Sequence, residues 1–384
     1  MVEAIRRGMS LRQVARRFGV ALRTVQRWVA RAADQRLDRV DWSDRPCGLP
    51  TPVNRTERAL EDLVLTIRQQ LRDTSDLGEF GAAAIRQELL AQGVADPPSI
   101  RTIGAILQRR GALDYHRRVR RPPPRPGWYV PAVADVRVEL DSFDIVEGLV
   151  IQGGSSVEVL NGISLHGGLV VSWPQTTITA NFVVKAVVEH WRAVGLPGYV
   201  QFDNDPIFEG AQVHPDTLGR VTRTCLSLGV IPVFVPPREM GFQAAIEGFN
   251  GLWQAKVWAR FHYESLVGVQ AQSARYVAAH RQRAAARIEA APARRPFPGC
   301  WQLDLQAHPQ GRLIFVRRSN AQGEVQLLGR TFAVDPLWPH RLVRAEVDLK
   351  RQRIGFYTLR RRAPDQQPLV KETKYVLPRR KFTE

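Results

Sequence analysis

The clearest periodic signal lies at the start of the chain. Residues 1 to 32, "MVEAIRRGMSLRQVARRFGVALRTVQRWVARA", place apolar side chains at helical intervals. Ser10 stands where a helix cap belongs, and Val14, Ala15 and Phe18 share one face behind it. Gly19 supplies a turn, and Val25 and Trp28 follow at a three-residue interval. A Gly-containing turn between two short helices is helix-turn-helix logic, and it predicts Arg23, Gln26 and Arg27 on the outer face, where they reach bases and phosphates. A second helical unit spans 51–115. Its last helix opens on Pro98 and Ser99, buries Ile103, Ile106 and Leu107, and turns Arg101, Gln108, Arg109 and Arg110 outward. The pattern predicts a second, homeodomain-like helix-turn-helix.

Residues 116–134 then carry Arg117, Arg118, Arg120 and Arg121 beside a run of prolines, which predicts an extended basic linker able to follow a phosphate backbone. From 135 to 268 the periodicity shifts. Three strand-like runs, a helix, a strand, a helix, a strand and a long helix predict a mixed α/β sheet with helices on both faces. Residues 269–299 read as a basic helix and linker. In 300–384, short strands at regular spacing predict a small β-barrel with a basic tail.

Composition sharpens this picture. Fifty-five Lys and Arg stand against 37 Asp and Glu, a net charge of +18, which points to a polyanionic partner. No apolar run approaches the ~18 residues of a spanning helix, so no membrane is expected, and the charged N-terminus does not read as a signal peptide. The expected location is the cytoplasm. Three scattered cysteines and eight scattered histidines predict neither a disulfide framework nor a zinc site.

The chemistry concentrates in carboxylates. "YVQFDND" ends a strand in Asp203, Asn204 and Asp205, a costly crowding of charge unless a cation or solvent relieves it. Asp141 lies on the first strand of the α/β region and Glu247 early on its last helix. Three acids gathering at one end of a sheet suit two divalent cations that take their other ligands from phosphate. Asp144 is the rival of Asp141, three residues on and facing the other way in a strand; Asp205 is a further candidate ligand, better suited to capping the loop.

This order of acids, with Asp-Asn after a strand and Glu-x-x-Asn on a helix, resembles the DDE transposase and retroviral-type integrase superfamily, most widely the bacterial insertion-sequence transposases. The resemblance spans the helix-turn-helix units, an integrase core and a β-rich C-terminal part. It implies a ribonuclease H-like core and a catalytic, metal-binding triad of Asp141, Asp203 and Glu247. It also implies two Mg²⁺ (or Mn²⁺) ions, 3′-end cleavage of double-stranded element-end DNA, and strand transfer into target DNA. Homo-oligomers on DNA and accessory transposition proteins are further expectations. Phe208 matches the family's aromatic, and Asp205 stands where the family usually has Gly. Asn250 and Gln254 share Glu247's helical face and are expected beside the cleaved bond; Arg238, in the loop before this helix, is expected at phosphate. A DNA-binding regulator with an inactive core, a nuclease that cuts without joining, and an RNA-directed ribonuclease are the competing functions.

Overall fold

The computed structural model describes residues 1–43, 56–113, 126–210, 214–239 and 241–383. The chain divides into two compact units, 1–61 and 62–384. The first contains α1 (Val2–Arg6), α2 (Leu11–Phe18) and α3 (Leu22–Ala32). Ser10 caps α2 in a reciprocal box: its hydroxyl accepts from Gln13 N–H at 3.3 Å, and its own N–H donates to Gln13 Oε1 at 3.0 Å. Gly19 ends the helix at φ 62°, a left-handed conformation open to glycine without strain. Val14, Ala15 and Val25 close the core between α2 and α3, whereas Phe18 is largely exposed. Arg6 donates to the carbonyls of Ala33 (2.9 Å) and Gln35 (2.7 Å), fastening the far end of α3.

The second unit begins within α4 (Arg58–Thr74), followed by α5 (Ala82–Ala91) and α6 (Ile100–Arg109). Val64, Ile67, Ile85, Leu89, Ile103, Ile106 and Leu107 are all buried, the alternation expected of amphipathic helices sharing one core. Ser99 caps α6 through Thr102 N–H at 3.2 Å. After a short helix α7 (Pro131–Ala134), the sheet begins. Its strands are β1 (Leu140–Val150), β2 (Ser156–Ser164), β3 (Val170–Gln175), β4 (Tyr199–Phe202) and β5 (Ile231–Phe234), with α8 (Ala180–Val194) between β3 and β4, and α9 (Pro206–Glu209) and α10 (Arg220–Ser227) between β4 and β5. β1, β2 and β3 form an antiparallel meander, and β4 and β5 join β1 in parallel. α11 (Ala244–Trp253) runs into one π-helical turn, Gln254–Trp258, before α12 (Leu266–Arg283) and α13 (Ala285–Glu289).

The C-terminal strands depart from the expected small barrel. β6 (Arg312–Arg318) pairs in parallel with β5, and β9 (Leu342–Asp348), β10 (Arg353–Leu359) and β11 (Leu369–Lys374) continue from it. One nine-stranded sheet results, in the order β11-β10-β9-β6-β5-β4-β1-β2-β3; β7 (Glu324–Leu327) and β8 (Arg330–Ala333) form a separate hairpin. The reason is that β5 would otherwise present an open edge, which β6 covers with its own hydrophobic run. Buried Arg317 reinforces the junction: it donates to Val235 O at 3.2 Å and lies 3.7 Å from the buried carboxylate of Glu209. The stretch before α10 is pinned to the hairpin. Arg330 donates to both oxygens of Asp216, at 2.8 and 2.6 Å, and Tyr375 donates to the same carboxylate at 3.0 Å.

Strand parity divides the core in two. Phe143, Leu160, Val200, Phe202 and Phe234 point to the side of α8 and α10. Val146, Val159 and Val170 point to the side of α11 and α12, packing on Ile246, Phe249, Trp253 and Val269.

Candidate active site

Asp141 and Asp144 fall on opposite sides of this division. Asp141 shares parity with Phe143 and turns toward α8. It is 2% exposed, accepts from Trp191 Nε1 at 2.9 Å and from Arg294 at 3.0 Å, and is gripped by the second guanidinium nitrogen as well. Glu247 lies on α11, across the sheet. The expectation that Asp141 joins Asp203 and Glu247 therefore fails for a geometric reason: an odd step along a strand reverses the face. Asp141 anchors the segment after α13 to β1.

Asp144 occupies the other face. The parallel register of β1 and β4 pairs Ser142 with Gln201. Two residues further along both strands, the same register brings Asp144 beside Asp203. Across β2, Asp144 is paired with Asn161, and Asn161 with Ser172 on β3. A polar row thus runs under α11 and α12. Asn250 on α11 donates to Asp144 Oδ2 at 2.7 Å and accepts from Asn161 Nδ2 at 2.9 Å. Ser273 on α12 donates to Ser172 Oγ at 2.8 Å and accepts from Trp253 Nε1 at 2.9 Å.

Electrostatics single out the same residue. Burial, then the charge of Asp203, raises the Asp144 carboxyl from the ordinary 3.8 to about 6, and Glu247 adds to the rise; hydrogen bonds from Ile145 N–H and Asn250 oppose it. Asp203 is also raised, first by burial and then by Asp205 and Glu147, against a hydrogen bond from the Asp205 N–H at 3.0 Å. Asp144, on β1, thus lies within the field of both Asp203, at the end of β4, and Glu247, on α11. Among the described residues, no three acidic, histidine or cysteine side chains already converge closely enough to hold an ion. The donor set is nevertheless the one a hard divalent cation takes, and such a cation would offset the burial, and the repulsion from Asp203 and Glu247, that raise Asp144. Asp144, Asp203 and Glu247 are the residues that could hold it.

The loop after β4 is built for rigidity. Asp205 caps α9, accepting from Ile207 N–H at 2.8 Å, and Asn204 Nδ2 donates to Val235 O at 2.8 Å. Phe208 stacks on Phe202 at 4.7 Å. The position expected to carry Gly thus carries a cap, and Asp205's own carboxylate is engaged locally.

The remaining sequence candidates separate cleanly. Arg23, Gln26 and Arg27 are exposed along α3, and Arg101 and Arg109 along α6. Arg110 is partly buried in an ion pair with Asp62. Arg117, Arg118, Arg120 and Arg121 lie outside the described residues. Arg238 is exposed in a turn at φ 60°, and Gln254 is exposed in the π-helical turn. Asn250 is 8% exposed and committed to Asp144 and Asn161, so it orients a carboxylate; it is not free to touch DNA. Sequence reasoning also missed how the second helical unit meets the core. Lys256 Nζ donates to Gly78 O at 2.9 Å, and Arg260 donates to the carbonyls of Arg72 (3.0 Å) and Asp73 (2.9 Å). The turn that follows Glu247's helix therefore carries the loop between α4 and α5.

Residues 1–40 match the sequence model of the homeodomain-like domain. No curated protein matches the chain. Similar solved structures include the catalytic core domain of BIV integrase, 17% identical over 36% of this chain and 81% of that one, with a TM-score of 0.26. The magnesium-bound HTLV-2 integrase catalytic core domain is 15% identical over 29% and 64%, with a TM-score of 0.23. The simian T-cell lymphotropic virus intasome, in complex with PP2A regulatory subunit B56 gamma, is 12% identical over 78% and 96%, with a TM-score of 0.33. No described helix is long and apolar enough to cross a membrane.

Proposed function

We propose that this chain is a DNA transposase of the integrase type, cutting and joining DNA at Asp144, Asp203 and Glu247. The observation that carries the reading is Asp144: a half-buried carboxyl on the central strand β1, raised to about 6 by burial and by Asp203 and Glu247, beside the end of β4. Perturbed, mutually repelling acids of this kind mark functional sites more often than structural ones. A pair of Mg²⁺ (or Mn²⁺) ions at these acids would supply charge neutralisation at phosphorus and a deprotonated oxygen nucleophile.

The chain's own residues do the rest. Asn250 and the Ile145 N–H hold Asp144 in one orientation, and Asp205 and Asn204 hold the Asp203 loop. Glu247, exposed near the start of α11, would complete the carboxylate set that holds the cations. α3 would read the element ends through Arg23, Gln26 and Arg27, with α6 contributing Arg101 and Arg109. Because α4 and α5 are tied to the turn after α11, DNA held by α6 would sit at a set distance from the acids. Double-stranded element ends and target DNA are the substrates, in a homo-oligomer that pairs two ends.

The test is direct. Purified protein is mixed with labelled duplexes taken from the DNA flanking its coding sequence, with Mg²⁺. Nicking at a 3′ end followed by joining supports the reading. Nicking without joining favours a nuclease, and sequence-specific binding with neither favours a regulator.

A further inference from the structure

A small cavity lies on the same face of the sheet, directly behind the carboxylates. Trp128, Tyr129 and Phe242 form one wall, Ser142 and Gln201 the floor, and Gln243 at the start of α11 the rim. The volume is about 230 Å³, below the ~300–1,000 Å³ of drug-sized ligand sites and suited to one heterocycle. The aromatic wall is rigid: ring centroids stand 5.1 to 6.0 Å apart, and the Tyr129 hydroxyl is fixed between Gln201 Oε1 and Phe242 O. Gln201 is likewise spent, its Nε2 donating to Phe242 O at 3.1 Å and to Ser142 Oγ at 3.3 Å. Gln243 differs. Its Nε2 is buried and has no hydrogen-bond partner, a costly state that a ligand acceptor would relieve.

Position gives the cavity its meaning. Ser142 and Gln201 precede Asp144 and Asp203 by two residues each, so floor and acids share a face and stand about 6.6 Å apart along the strands. Stacked nucleotides rise only ~3.4 Å per strand, so a base that reaches this floor from a phosphate at the acids must leave the stack. Resting on the reading of the acids as a phosphodiester site, we infer that the cavity receives a single unpaired nucleobase adjacent to the bond being cut. The base lies against the aromatic wall, and a ring nitrogen or carbonyl oxygen accepts from Gln243 Nε2. This is how enzymes that unstack a nucleotide hold it: an aromatic surface and a few polar groups at the base edge.

The test uses the full chain, a short single-stranded oligothymidylate carrying 5-iodouracil, and ultraviolet irradiation in Ca²⁺, with adducts located by mass spectrometry. Adducts on Trp128, Tyr129 or Phe242, reduced about tenfold in Gln243→Leu, are the expected result. Adducts confined to the N-terminal helices or to α12 overturn the pocket. Plasmid nicking in Mg²⁺ is measured on the same preparation and separates the two ideas. Nicking without pocket adducts removes the pocket alone, whereas pocket adducts without nicking keep a base site and remove the transposase reading.

Discussion

Asp144→Asn should make the metal-free protein more stable while leaving it unable to use a metal. A carboxyl raised from 3.8 to about 6 costs the folded state about 3 kcal/mol when ionised, at ~1.36 kcal/mol for each power of ten in proton affinity. The sign follows from linkage. The folded form holds this proton more tightly than the unfolded chain, so the favourable contribution is full below pH 3.8 and is lost as pH rises through about 6. At pH 8 the whole cost is present; at pH 5 protonation has recovered about 1.4 kcal/mol of it. The asparagine keeps an acceptor for Asn250 and carries no charge, so the variant should gain roughly 1–3 kcal/mol at pH 8 and visibly less at pH 5. Guanidinium unfolding in EDTA at both pH values measures this. Adding Mg²⁺ should stabilise the wild type at pH 8 and leave the variant unmoved. A variant less stable than wild type at pH 8, or a gain equal at both pH values, would refute the electrostatic argument.

The opposite behaviour is expected of Asp141→Asn. It strands the buried guanidinium of Arg294 and should cost about 3–5 kcal/mol in the same unfolding assay, with Mn²⁺ affinity unchanged. Asp205→Ala removes the side-chain cap of α9 but keeps the N–H that holds Asp203, so the same unfolding assay should show a loss of about 1 kcal/mol with Mn²⁺ affinity by calorimetry little changed. Lys256→Ala with Arg260→Ala should raise amide exchange across residues 72–80 and scatter the cutting position on end DNA, while the α11 amides stay protected. Arg27→Ala should lower the slope of log affinity against log salt by about 1 on any duplex.

Much of the core was legible because its strands are short hydrophobic runs and its helices carry clear periods. Val200 and Phe202 alternate with Gln201 and Asp203, and that alternation alone places the end of β4. The choice between Asp141 and Asp144 needed one further reading. "SFD" at 142–144 and "QFD" at 201–203 share the same polar-aromatic-acid parity, so phenylalanines face one side and acids the other. That signal was present in the chain. The partner of Asp141 was not, since Arg294 lies 153 residues away and no local rule joins them. The C-terminal strands were recognisable one by one, but a strand's sequence does not say which sheet edge it will cover. β6 joins β5 through tertiary burial, aided by Arg317 beside Glu209. The π-helical turn after α11 likewise has no sequence mark. It emerges where Lys256 and Arg260 must reach the carbonyls following α4.

A transposase of this design requires its three acids to share cations on the α11 face of the sheet. Anomalous diffraction from crystals soaked in Mn²⁺ at pH 8 examines this without any assumption about DNA. Density between Asp144, Asp203 and Glu247 is the predicted result; manganese seated at Asp141, or none at any of these carboxylates, would contradict it.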